Sequence, residues 1–170
     1  MVMFDIKFDS KSETVQLVYP SGKTEVIAKD SPTIPIKSPD NTKAAYISPL
    51  EWEVYGNLYL VDLENGEQEV LVAPDGSYIP KNVIWQDNEN ILVIIGFGDG
   101  TVCIGGNIFR VNIKTKEKTQ ITSYDSIVQI TDLYLEDDML HYKGIRYTDD
   151  ILNESVAYES VISLDSLLTF

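Results

Sequence analysis

Cysteine and histidine occur once each in this 170-residue chain, at Cys103 and His141. A single cysteine excludes an intrachain disulfide and any cysteine-rich zinc site. It leaves the compartment open, since exported proteins can lack cysteine too. Basic residues are also scarce, 13 against 27 acidic ones, for a net charge of −14. A field of that sign repels phosphate, so nucleic acid and anionic membrane surfaces are poor partners. No apolar run is long enough to span a bilayer, so membrane insertion is not expected. No segment holds a helical period for three turns. The opening residues, Met1 to Phe8, alternate apolar and polar with Asp5 and Lys7 among them. That is the start of a strand and not the basic-then-apolar pattern of a secretion signal.

What is present is strand chemistry. Hydrophobic residues make up 44% of the chain, enough for one core and too many for disorder. The segments Val15–Tyr19, Leu58–Leu63 and Ile91–Ile95 are rich in β-branched, aliphatic and aromatic residues. The last is continuously apolar, as a strand covered on both faces would be. Between such runs lie Pro20-Ser21-Gly22, Ser38-Pro39-Asp40-Asn41, Glu64-Asn65-Gly66, Pro74-Asp75-Gly76 and Asp87-Asn88-Glu89-Asn90, all turn formers. Asn65-Gly66 marks a hairpin, because both residues tolerate positive φ. The expectation is one all-β domain over residues 1–170.

The segments also recur. Gly56-Asn57-Leu58-Tyr59-Leu60-Val61-Asp62-Leu63 aligns with Gly106-Asn107-Ile108-Phe109-Arg110-Val111-Asn112-Ile113, a step of 50 residues. A further step of 51 reaches Ser163 in Val161-Ile162-Ser163-Leu164. Each copy follows a turn and a strand, and Val15–Ala28 fits the later half of one copy. Such a period points to blades or arrays. The stretch Ser38–Ser48 followed by Gly56–Val72 resembles a TolB-type propeller blade, with its Ser-Pro-Asp turn and its strand ending in Asp before a Gly turn. The chain is thus similar to the TolB-like and WD40-like blade repeats of bacterial domains of unknown function. The resemblance implies a propeller-like array of antiparallel blades, with three full units and an N-terminal partial one. A closed four-bladed ring, with Leu164–Phe170 helping to zip it, would cover every apolar face. An open array would leave two faces exposed, so closure is the favoured expectation.

In such blades the connections from second to third strand share one end with the links between blades. That end would carry Trp52, Tyr55, Phe97, Asp99, Tyr147 and Asp149, with Tyr78, Tyr124 and Asp150 nearby. Aromatic rings beside carboxylates suit a carbohydrate or a protein partner, a basic one in particular. The competing expectation is that the rings cap the core and the acids are merely solvated. Gly96, Gly98 and Gly100 alternate without a following helix or a P-loop lysine, which argues against a phosphate site. No cofactor is expected. If a metal binds, calcium suits the oxygen ligands offered by pairs such as Asp137-Asp138 and Asp149-Asp150. No catalytic constellation stands out, His141 lies in a strand-like run, and Trp85 reads as core. The leading functional expectation is a non-catalytic binding or scaffold module. The alternative is a carboxylate-dependent hydrolase of glycans or esters, calcium-assisted or not. Monomer and dimer fit the sequence equally well.

Overall fold

A computed structural model describes residues 3–167, with side chains as far as Asp165. It holds four antiparallel sheets in chain order. The first contains β1 (Asp5–Asp9), β2 (Thr14–Val18) and β3 (Thr24–Ala28). The second contains β4 (Ile36–Lys37), β5 (Lys43–Ser48), β6 (Asn57–Asp62) and β7 (Gln68–Val72). The third contains β8 (Tyr78–Trp85), β9 (Asn90–Phe97), β10 (Asn107–Asn112) and β11 (Lys118–Gln120). The fourth contains β12 (Val128–Glu136), β13 (Met139–Tyr147) and β14 (Ser155–Ser163). A 3-10 turn at Leu164–Leu167 is the one helical element among the described residues. The all-β, propeller-like array expected from the sequence is what the chain forms.

Three apolar layers lie between successive sheets. Ile6, Val15 and Leu17 meet Tyr46, Val61 and Leu63 in the first layer. Ile47, Leu58 and Leu60 meet Val83, Ile91, Val93 and Ile95 in the second. Leu92, Ile94 and Ile108 meet Ile130, Leu140 and Tyr142 in the third. The continuous run Ile91–Ile95 follows directly, because alternate residues of β9 enter the layers on its two sides. Trp85 belongs to the second layer, and its indole N–H donates to the Ile36 carbonyl oxygen at 2.7 Å.

The repeat step has a local cause as well. Asp62 Oδ1 accepts from the Glu64 N–H at 2.8 Å, Asn112 Oδ1 from the Lys114 N–H at 2.9 Å, and Ser163 Oγ from the Asp165 N–H at 3.2 Å. One side-chain-to-backbone turn thus closes the third strand of each copy. The glycine that opens each of the first two copies also has a reason. A Cβ on Gly56 would overlap the Pro49 carbonyl oxygen, and one on Gly106 the Ile95 carbonyl oxygen.

The first sheet is the later part of a unit, as the sequence suggests. Its β2–β3 pairing slips between Val15 and Gln16, just as β6–β7 slips between Leu58 and Tyr59. It therefore supplies second, third and fourth strands. The fourth sheet, counted as a full unit from sequence, supplies a first, second and third strand among the described residues.

Closure into a ring is not found. Among the described residues no apolar layer joins the first sheet to the fourth. The outward faces explain why. Register places Asp5 and Lys7 of the first sheet where the second has buried Ala44 and Tyr46. On the fourth sheet, Lys143 and Glu159 pair across β13 and β14 where the third has Ile94 and Ile108, both fully buried. Stacking these faces would strip water from charged groups, so the faces stay exposed. The proposed zipping segment falls partly outside the described residues, at Leu168–Phe170.

Candidate functional site

Each second-to-third-strand connection begins where β5, β9 or β13 ends, so residues 49–56, 98–106 and 148–154 emerge at one end of the array. The first two are fastened together across the boundary between sheets. Trp52 Nε1 donates to the Gly100 carbonyl oxygen at 3.2 Å, and the Gly100 N–H donates to Glu53 Oε1 at 3.0 Å. Gly100 has φ +83°, a conformation glycine adopts without strain, and its amide and carbonyl are both held by the neighbouring loop. Tyr55 Oη donates to Asp99 Oδ2 at 2.6 Å, and that bond to a carboxylate raises the phenol above its ordinary value. Tyr147 reaches the same hairpin from the fourth sheet, donating to the Val102 carbonyl oxygen at 2.6 Å.

Lys81 organises this hairpin from below, and no local sequence signal marks it. It is the extra residue of a β-bulge in β8, where Pro80 pairs with Ile95 and Asn82 with Ile94. The bulge re-aims its side chain. The ammonium donates to the carbonyl oxygens of Phe97 at 2.7 Å, Cys103 at 2.6 Å and Gly105 at 2.9 Å. Burial pushes its pKa below the ordinary lysine value, while the nearby Cys103 acts electrostatically in the opposite sense.

Above this cage runs a groove of about 500 Å³, lined by Leu50, Glu51, Trp52 and Glu53 on one side and by Gly100, Thr101 and Ile104 on the other, with Ile79 and Lys81 also in its wall. Trp52 is 69% exposed there. A second cleft, of about 250 Å³, shares Cys103 with the groove and is lined by Tyr78, Phe97, Tyr124 and Gln129.

The six residues expected to share a rim are thus only partly united. Trp52, Tyr55 and Asp99 sit on the fastened loops, and Tyr147 joins them through Val102. Phe97 lines the second cleft instead, packed edge-on against Tyr78 at 6.1 Å between centroids. Asp149 closes its own loop, accepting from the N–H groups of Asn153 at 2.8 Å and Glu154 at 3.0 Å. Tyr124 folds back onto the core, hydrogen-bonded to the hydroxyls of Tyr142 at 2.8 Å and Tyr158 at 2.7 Å. His141 stacks on Tyr134 at 4.7 Å on the outward side of the fourth sheet. Among the described residues no three His, Cys, Asp or Glu side chains group as a metal site would require.

A family model described as a domain of unknown function, DUF4652, matches residues 53–164, more than half of the chain. The chain belongs to the DUF4652 family. No curated protein matches it. Among solved structures, a protein of Clostridium novyi NT assigned as a conserved lipoprotein is 25% identical, with a TM-score of 0.73 over 96% of this chain and 98% of that one. TolB from Acinetobacter baumannii is 18% identical, with a TM-score of 0.54 over 95% of this chain and 41% of TolB. The β-propeller domain of the Trilobed protease from Pyrococcus furiosus, described as having an open velcro topology, is 12% identical, with a TM-score of 0.54 over 93% of this chain and 49% of that one. This DUF4652 member thus spans less than half the length of the latter two, and their likeness is one of fold. It matches the clostridial protein nearly end to end.

Proposed function

We propose that this DUF4652 domain is a non-catalytic binding module whose ligand, a protein or a glycan, docks on the loop end around Trp52. One observation carries the reading. Trp52 leaves its ring mostly in solvent while its N–H and the adjoining loop are fixed to Gly100. A large aromatic ring held in place by its own hydrogen bond offers contact area at little cost in entropy, which is how recognition surfaces are built. The groove beside it is within the size range of small-ligand sites. No comparable observation supports hydrolysis: Asp99 holds Tyr55 of the neighbouring loop, and Asp149 holds the backbone of its own.

The test is a two-dimensional NMR titration with a panel of short peptides and neutral oligosaccharides. Binding should move resonances at residues 49–56 and 98–106 and be lost in Trp52→Ala. Binding that maps to the opposite end of the sheets, or that survives Trp52→Ala unchanged, overturns the proposal.

A further inference from the structure

We infer that the groove beside Trp52 receives a lysine or arginine side chain of an extended basic peptide, an inference that rests on the binding-module reading and narrows it to one ligand class.

The argument is an inventory of hydrogen-bonding capacity. The groove's one ammonium, on Lys81, has three donors, and the Phe97, Cys103 and Gly105 carbonyls use them. The Trp52 N–H is given to Gly100, the Gly100 N–H to Glu53, and the Gly98 N–H to the Ser77 carbonyl oxygen at 2.7 Å. Of the side-chain donors in the lining, the Thr101 hydroxyl and the weakly donating Cys103 thiol remain. The acceptors are not exhausted. Glu51 accepts from the Ser31 hydroxyl and Glu53 from Gly100, yet each carboxylate has about four lone-pair sites. Among the side chains of the lining, the surplus is therefore mostly of acceptors.

A ligand that matches such a surplus brings donors and no acceptors. Ammonium and guanidinium groups fit that description; carboxylates and phosphates fit it least. Sugar hydroxyls need both kinds of partner, and the side chains of the groove supply mainly one. Charge selects the same class. The Lys81 charge is wrapped in carbonyl dipoles, Glu51 and Glu53 flank the exposed ring, and the chain as a whole carries −14. Tryptophan is also the aromatic side chain on which a cation stacks best. Leu50, Ile79 and Ile104 line the rest of the groove and would cover the methylene stem behind the charged head.

The experiment uses the full chain and an acetylated, amidated Gly-Leu-Arg-Leu-Gly peptide, followed by calorimetry. The same peptide with citrulline in place of arginine keeps the shape and removes the charge, and chitotriose provides a neutral glycan arm. The citrulline peptide should bind about tenfold more weakly, and Glu51→Gln should weaken arginine-peptide binding severalfold. Trp52→Phe should keep most of the affinity and Trp52→Ala should lose it, with thermal melts confirming that each variant is folded. Equal affinity for arginine and citrulline peptides, or binding of chitotriose without the peptide, overturns this inference and leaves the binding module standing. Silence of both peptide and chitotriose at millimolar concentration overturns both.

Discussion

The indole N–H of Trp52 and the carbonyl oxygen of Gly100 meet at 3.2 Å across 48 residues of sequence, so an exposed ring in one blade is tied to a left-handed glycine in the next. Gly100→Ala should destabilise the chain by about 1 kcal/mol through backbone strain at positive φ. Trp52→Phe should cost under about 1 kcal/mol, as expected for one exposed hydrogen bond. If the pair forms a working clamp, the double variant will depart from additivity by about 0.5 kcal/mol or more in urea denaturation.

Lys81→Met is expected to be costly although it replaces a charged residue by an apolar one of similar length. Removing the ammonium leaves the carbonyls of Phe97, Cys103 and Gly105 without their shared donor. A loss of about 2 kcal/mol follows from the strength of hydrogen bonds to charged groups, measured by the shift in denaturation midpoint. Hydrogen exchange should accelerate at residues 98–105 more than in β13.

Gly106→Ala should damage the third sheet. The added methyl meets the Ile95 backbone, which cannot swing aside as a side chain could. Separating β9 from β10 at this point should cost about 3 kcal/mol, comparable to severe overpacking of a core. Gly22→Ala is the contrasting control. Its Cβ meets nothing within 4 Å, so its cost is limited to the strain of φ +89°.

Alkaline pH should unfold the protein through its tyrosines. Burial, followed by the nearby Tyr59, pushes Tyr46 well above the ordinary phenol value, and burial together with bonds to Tyr142 and Tyr158 does the same to Tyr124. Groups whose folded pKa is raised contribute stability that is complete below the unfolded value, about 10, and is lost as pH climbs toward the folded value. The urea midpoint should therefore fall as pH rises above about 10. A spectrophotometric phenolate titration should show these rings ionising only as the fold is lost.

The outward face of the fourth sheet gives a further prediction. Converting both Lys143 and Glu159 to Ile puts there the residues that β9 and β10 carry at the matching positions, Ile94 and Ile108. The variant should self-associate in light scattering, while the parent keeps a face that cannot stack.

Much of the array was legible because it depends on local chemistry. Asp62, Asn112 and Ser163 recur with the step of the repeat because each side chain closes the same turn, and Ile91–Ile95 announces a strand with two covered faces. Ring closure was misread because it depends on Asp5, Lys7, Lys143 and Glu159, whose facing can be assigned only once register is fixed. At the loop end, Trp52, Tyr55 and Asp99 could be brought together because the blade resemblance puts the second-to-third-strand connections at one end. Lys81 was not, since its role requires a bulge and three carbonyls from a hairpin sixteen to twenty-four residues away. The loop-closing bonds of Asp149 were not legible either, because an aspartate capping its own loop looks, in sequence, like one offered to a ligand.

The charged outward faces also bear on how such a chain can change over generations. A ring fixes its number of members by its circumference, and gaining or losing one breaks the circle. Here the two outermost sheets carry charged outward faces instead of meeting, so copying the 50-residue stretch from Leu63 to Asn112 would insert a member whose two sides already match its neighbours. Each such insertion would add another hairpin beside Trp52, lengthening the recognition edge like a tooth added to a comb.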